Sequence, residues 1–342
     1  MKKVIKVAVL GATGYVGMEL VKILTKHNSV KITFLGSDTT HNKYLKNIDN
    51  TKEYNQLPLL KKNEEYEPSY SDYVFLALPH GISNKFVNDF YNKVNIIDLS
   101  ADFRLDNIET YNQNYGDNHS CGKYLKNFNY GLAEIYRDKI NKSKNIAVPG
   151  CYPTSVLLPL IPLIQNNLIE SNDIIIDSKS GYSGAGKKFD IGNLKSDNDY
   201  NFYNYNTNTH RHISEIKQEL NKFISRNDLS ISFNPHILPN FRGMMSTIYC
   251  NFKNNVNKKN IYEILRTFDE QNYFIKFMDE TKKLDFFSVQ NTNFCKIKIF
   301  NHHSENKIII VSAIDNLIKG AAGQAVQCFN LIENFEETDA LI

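Results

Sequence analysis

Residues 4 to 10, VIKVAVL, run straight into GATGYVG at 11 to 17, and this junction constrains the fold more than any other feature of the chain. An aliphatic, β-branched run of this length reads as a strand buried on both faces, as in a parallel sheet. Gly11, Gly14 and Gly17 then form a GxxGxxG turn, which lets backbone N–H groups and a helix N-terminus approach an anionic group without side-chain obstruction. An amphipathic stretch, Met18 to His27, supplies the helix. Further apolar runs at 31 to 36, 73 to 78 and 95 to 99, with a helical pattern over 83 to 91, continue the alternation. The pattern predicts an α/β, Rossmann-like doubly wound parallel sheet that binds a dinucleotide at the glycine turn. The polar stretch from His41 to Ser69 lacks apolar periodicity and is expected to form peripheral loops with a short helix.

After Val148-Pro149-Gly150 the grammar changes. Apolar runs near 173 to 180, 230 to 238, 244 to 252, 294 to 300 and 307 to 314 are mostly not separated by single crossover helices. They predict an α+β domain with a mixed, largely antiparallel sheet over 151 to 315. Asn316 to Phe329, small and apolar on one face, is expected as a helix returning to the first domain, so the first domain comprises 1 to 150 plus 316 to 342.

The second strand ends Leu35-Gly36-Ser37. An acidic residue there would bond a ribose 2′-hydroxyl and repel a 2′-phosphate. Ser37 can instead donate to a phosphate, and Lys43 lies near in sequence, which favours NADP over NAD despite Asp38 next door. Charge is consistent with a small-molecule ligand: a net +3 with both signs interspersed has no nucleic-acid or membrane-surface footprint. No apolar run reaches the roughly 18 residues of a spanning helix, so neither a signal peptide nor a membrane span is expected. Five cysteines, at 121, 151, 250, 295 and 328, include no CxxC pair. That pattern argues against a disulfide framework or a structural zinc site and points to a reducing cytoplasm.

Cys151 stands in PGCYPTS, where glycine and proline precede an apolar helical stretch. A thiol at a helix start meets partial positive charge that favours the thiolate, so Cys151 reads as a nucleophile. Cys250, Cys295 and Cys328 read as small buried hydrophobes, and Cys121 is open to either placement. A thiolate that attacks an acyl group needs a proton partner, and HRHISEI at 210 to 216 offers His212 with Glu215 to hold its imidazole. His210 and His212 could instead share a metal, but no clustered third ligand is evident and no metal is expected, or they could simply face solvent as a pair.

Nine segments in order carry a resemblance: GATGYVG at 11, ALPHG at 77, DLSADFRL at 98, YGLAE at 130, VPGCYPTS at 148, SGYSGAGK at 180, HRHISEI at 210, HILPNFRGM at 236 and DNLIKGAAGQAVQ at 315. Together they resemble the semialdehyde dehydrogenase family, and within it the N-acetyl-γ-glutamyl-phosphate reductases. The resemblance implies NADPH-dependent reduction of an acyl phosphate to a semialdehyde through a Cys151 thioester, assisted by His212 and Glu215. It implies cofactor contacts from Gly11, Thr13, Gly14, Val16, Gly17, Ser180, Gly181, Ser183, Gly184 and Asn316, beside Ser37, which the end of the second strand itself puts forward for the 2′ position. Arg104 would bind the substrate phosphate, as in the related aspartate-semialdehyde dehydrogenases, or else form a structural salt bridge, with Arg211 and Lys187 as further anion-binding candidates, and the protein would assemble as a homodimer or homotetramer. The aminoadipyl-phosphate reductase of lysine synthesis and aspartate-semialdehyde dehydrogenase are the nearest alternatives, and a non-catalytic dinucleotide sensor is the alternative from another class. Two departures stand out. Ser214 replaces a frequent proline, and Pro159 and Pro162 should kink or shorten the helix after Cys151.

Overall fold

A computed structural model describes residues 3–49, 54, 56–116, 119–197, 199–225, 228–279, 281–304 and 306–342. The chain divides into two compact units, Met1–Pro149 with Ala321–Ile342, and Gly150–Gly320.

The first unit carries β1 (Ile5–Leu10), α1 (Tyr15–Leu24), β2 (Val30–Gly36), β3 (Leu60–Lys61), β4 (Tyr73–Leu76), α2 (Ser83–Phe90), β5 (Asn95–Asp98), α3 (Ile108–Tyr115), β6 (Asn129–Tyr130), α4 (Ala133–Ile140) and β7 (Asn145–Ala147). Its seven strands lie in the order β3-β2-β1-β4-β5-β7-β6 and pair in parallel throughout. That is the doubly wound sheet the alternation predicts, with β1 and β4 buried at its centre. α1 starts three residues earlier than Met18, because the turn itself closes into the helix. Gly11 adopts φ +80°, and a Cβ there would meet the Ala77 carbonyl oxygen at 2.2 Å. A Cβ on Gly17 would meet the Gly11 oxygen at 2.1 Å. Only glycine permits both approaches.

The stretch from His41 to Ser69 is less peripheral than its composition suggests. β3 adds to the edge of the sheet beside β2, and Asn63 is buried at the glycine turn. Short polar segments of this kind have no periodic signal, yet one side chain can reach the core.

The second unit carries α5 (Cys151–Gln165), β8 (Ile174–Gly181), β9 (Tyr203–Asn204), α6 (His212–Asn221), β10 (Ile231–Leu238), β11 (Met244–Asn251), α7 (Lys258–Gln271), β12 (Ile275–Phe277), β13 (Cys295–Asn301) and β14 (Lys307–Ile314). Its sheet runs β12-β13-β14-β11-β8-β10-β9 and is mixed, with antiparallel pairs outnumbering the parallel β8–β10 and β12–β13 pairs. Burial alternates along β8, β10 and β11, so one face is buried. α5 packs against β11 and β14 as well as α6 and α7. Pro159 and Pro162 do not shorten it: α5 runs for 15 residues through both, and every residue from Tyr152 to Ile164 is buried. Packing on all sides offsets the lost backbone bonds, and the Asn166 N–H and side-chain amide both close onto the Pro162 carbonyl.

The return to the first unit begins at Ala321 rather than Asn316. Asp315 and Asn316 are held by Arg242, Asn291, Gly243 and Ser183 of the second unit. A π-helical turn, Ile318–Ala322, then leads into α8 (Gly323–Ile332).

Candidate active site

Cys151 is the first residue of α5 and is half-buried; Gly150 is its N-cap, in extended conformation with no side-chain cap. The turn in front of the thiol is held on both backbone atoms. The Gly150 N–H donates to Glu215 Oε1 at 2.8 Å, and the Gly150 carbonyl accepts from the Thr154 N–H and hydroxyl at 2.9 and 3.0 Å. Deeper in the same turn, Ser155 donates to the Tyr152 carbonyl and joins a buried hydroxyl chain through Ser246 to Ser178, each link 2.7 Å. The helix start is therefore anchored to α6, β11 and β8 by hydrogen bonds that leave it little freedom to shift.

α6 begins at His212 and carries Glu215 one turn later, both buried. The carboxyl that the HRHISEI spacing assigns to the imidazole is thus tied to the cysteine turn through Gly150. Ser214, in the position of the frequent proline, donates its hydroxyl to the Arg211 carbonyl at 2.7 Å and closes the helix start in another way. His210 Nδ1 accepts the His212 backbone N–H at 3.1 Å, so its other nitrogen carries the proton. Burial first, and the nearby Arg211 second, lower His210 to about 4, which keeps it neutral near pH 7. Its ring stands edge-on to His212, Tyr152, Tyr205 and Phe233. The Tyr152 hydroxyl lies 3.2 Å from that of Tyr205, whose own ionisation burial pushes up to about 12. Tyr152 also packs edge-on to the His212 ring, which links the residue after the thiol to the candidate proton carrier. Among the described residues no group of three His, Cys, Asp or Glu could hold a metal ion.

The SGYSGAGK segment closes the same unit. Gly181 would place a Cβ 2.7 Å from the Asn240 and Phe241 oxygens, so the loop is built against that backbone. Ser180 donates to the Gly181 carbonyl, and Ser183 Oγ accepts from Asn316 Nδ2 at 2.9 Å. Asn316 Oδ1 accepts the Gly243 N–H at 2.8 Å, so both ends of this amide are held. Gly184, Lys187 and Arg211 are exposed.

In the first unit, the N-terminus of α1 fits a pyrophosphate. Gly14 caps it with no side chain, its first turn holds no acidic residue, and a Cβ on Gly14 would meet nothing nearer than the Gly11 oxygen at 3.5 Å. Thr13 and Ser37 are buried and share a 2.7 Å hydroxyl bond. The Asp38 carboxyl accepts from the Asn63 N–H and side-chain amide at 3.0 and 2.8 Å, while Asn63 Oδ1 accepts the Gly11 N–H. Asn63 has no motif around it, and nothing in the sequence marks it. Arg104 is buried, donating from Nε to the Val148 carbonyl at 2.7 Å and from Nη2 to the Leu99 carbonyl at 2.9 Å. Asp102, from the same SADFR segment, takes the Gly81 and Asn84 N–H groups and the Tyr111 hydroxyl. Cys121 is wholly buried, with its thiol 2.9 Å from the Asn84 carbonyl, and burial pushes its ionisation up. Cys250, Cys295 and Cys328 are buried as well.

A family model described as the NAD binding domain of semialdehyde dehydrogenase matches residues 6–143, and one described as the dimerisation domain matches 151–316. The N-acetyl-γ-glutamyl-phosphate reductase of Ehrlichia canis is 44% identical over 338 residues, covering 98% of this chain and 97% of that protein. The chloroplastic protein of Arabidopsis thaliana named as a probable N-acetyl-γ-glutamyl-phosphate reductase is 38% identical across 100% of this chain and 85% of its own length. Among solved structures, aspartate semialdehyde dehydrogenase II of Vibrio cholerae shares the fold at TM-score 0.76 and 18% identity, over 97% of this chain and 99% of that one. An aspartate semialdehyde dehydrogenase of Candida albicans solved with NADP aligns at TM-score 0.66 and 16% identity, over 97% and 99%.

Proposed function

This chain belongs to the semialdehyde dehydrogenase family, among the N-acetyl-γ-glutamyl-phosphate reductases, and from that premise we infer that it reduces N-acetyl-γ-glutamyl phosphate to N-acetyl-L-glutamate 5-semialdehyde and phosphate with NADPH. The observation that carries the reading is the anchored start of α5, where Cys151 opens a helix whose cap is held by Glu215, from the helix that begins at His212.

Cys151 Sγ attacks the γ-acyl carbon, and the helix N-terminus and the Cys151 N–H stabilise the oxyanion. The bond to the phosphate oxygen breaks with its electron pair, leaving a Cys151 thioester. His212 takes the thiol proton and returns it to the departing phosphate. When bound, NADPH supplies the hydride that reduces the thioester carbonyl. The C–S bond then breaks, releasing the aldehyde and a Cys151 thiolate, which takes up one proton from solvent to regenerate the starting thiol. Gly11, Thr13, Gly14, Val16 and Gly17 would hold the pyrophosphate at α1, with Ser37 at the 2′-phosphate, since β2 ends in no acid and Asp38 is engaged with Asn63. Ser180, Gly181, Ser183, Gly184 and Asn316 would serve the nicotinamide end. Arg104, Arg211 and Lys187 are the cations proposed for the substrate's phosphate.

The presence of a dimerisation domain makes the protein an oligomer, and we propose a homodimer or homotetramer, to be read by light scattering. No helix among the described residues is long and apolar enough to cross a membrane, and the proposed location is the cytoplasm.

The test is phosphate-dependent reduction of NADP with N-acetylglutamate semialdehyde, run beside aspartate semialdehyde and NAD. Cys151→Ser should lose nearly all turnover while binding NADPH normally; full activity in that variant sinks the thioester route. A dinucleotide sensor without chemistry would bind NADPH yet give no acyl-enzyme burst.

A further inference from the structure

Gly320 faces the nucleophile. A Cβ built on it would lie 2.7 Å from Cys151 Cβ and 3.2 Å from Cys151 Cα, closer than side chains pack. Its backbone is brought there by the π-helical turn, in which the Gly320 N–H donates to the Asp315 carbonyl five residues back at 2.9 Å. The turn is itself held from below. Asp315 Oδ1 accepts the Leu317 and Ile318 N–H groups, and its Oδ2 takes the Asn291 N–H and the Arg242 guanidinium at 2.7 and 3.3 Å. Asp315, whose carbonyl accepts the Gly320 N–H, and Lys319, which precedes Gly320, are wholly buried.

Cys151 cannot retreat from the other side either, because Glu215 and Thr154 hold Gly150. The first turn of α5 thus sits between a hydrogen-bonded cap and a bare glycine backbone. π turns cluster at functional sites because they displace a backbone by one residue, and here that displacement brings a residue without a side chain against the thiol-bearing carbon.

We propose that Gly320 is a positioning residue for the reaction: its missing side chain lets Cys151 keep the backbone and rotamer in which the thiol reaches the acyl carbon. The inference rests on Cys151 as nucleophile. A methyl group at 320 collides with Cys151 Cβ and Cα, which no rotation of the thiol relieves, so the start of α5 must shift to restore ordinary contact, and a misplacement approaching about 1 Å costs about a hundredfold in rate.

The experiment uses the full-length enzyme and Gly320→Ala. Expected is a fall in kcat of about a hundredfold with KM for NADPH unchanged, and an altered rate of Cys151 alkylation by iodoacetamide. A merely structural role would lower the melting temperature and leave kcat per folded molecule and the alkylation rate at wild-type values, and that result overturns the proposal. Should Gly320→Ala fail to fold, the double variant Gly320→Ala/Cys151→Gly removes the opposing Cβ. Recovered folding supports the collision with Cys151; continued failure refutes it. Full turnover in Cys151→Ser would instead bring down the nucleophile reading, whereas full turnover in Gly320→Ala beside an inactive Cys151→Ser brings down this inference alone.

Discussion

Glu215 offers the sharpest separation of two roles. The HRHISEI spacing assigns it to the His212 imidazole, while the structure ties its Oε1 to the Gly150 N–H at 2.8 Å, in front of the thiol. Glu215→Gln keeps an oxygen acceptor at this distance and removes the charge, so the Gly150 bond survives at a cost of about 1 kcal/mol. Glu215→Ala leaves a buried N–H without that acceptor, about 1–3 kcal/mol, and hollows a wholly buried position, about 2 kcal/mol more. The alanine variant should therefore melt lower by about 6–20 °C, and its kcat should fall about a hundredfold as the cysteine turn loosens. The glutamine variant should stay within about tenfold of wild type. Thermal unfolding, kcat and KM with N-acetylglutamate semialdehyde, and the pH profile of kcat are the measurements. If Glu215→Gln loses as much turnover as Glu215→Ala and its pH profile shifts, the charge acts on His212 and the clamp is not what matters. If Glu215→Ala keeps wild-type kcat, both roles are refuted.

His212→Asn should lower kcat much more than it raises KM; a change confined to KM would reassign His212 to substrate binding. His210 gives a pH signature. Its folded value of about 4 lies below the ordinary 6.5, so the folded state refuses a proton that the unfolded chain accepts. Stability is whole above pH 6.5 and declines as pH falls toward 4, by about 3 kcal/mol in all. His210→Asn, which keeps an acceptor for the His212 N–H, should flatten that decline, and a variant with the wild-type slope between pH 4 and 6.5 would remove His210 as its source. Ser37→Asp places a carboxylate at the end of β2 and should raise KM for NADPH about tenfold or more while improving the use of NADH. An unchanged NADPH to NADH ratio would show that the 2′-phosphate is read elsewhere.

The sequence alone determined what depends on neighbours a few residues apart. The strand, glycine turn and helix at 4 to 27 are written in local sterics and side-chain period, because only glycine tolerates the φ of Gly11 and the approach of Gly17. PGCYPTS likewise announces a helix start at Cys151 from its own wording. What the tertiary structure decided lies in contacts between segments far apart in the chain. Pro159 and Pro162 signal a break that packing on every side of α5 overrides. Asn63, in a stretch with no periodic pattern, is brought to Gly11 by the edge pairing of β3. The partner of Glu215 is 65 residues away, and Gly320 meets Cys151 only because a π turn shifts its backbone there. Hydrogen-bond and packing partners of this kind are chosen by the free energy of the whole core, and no short window of sequence contains it.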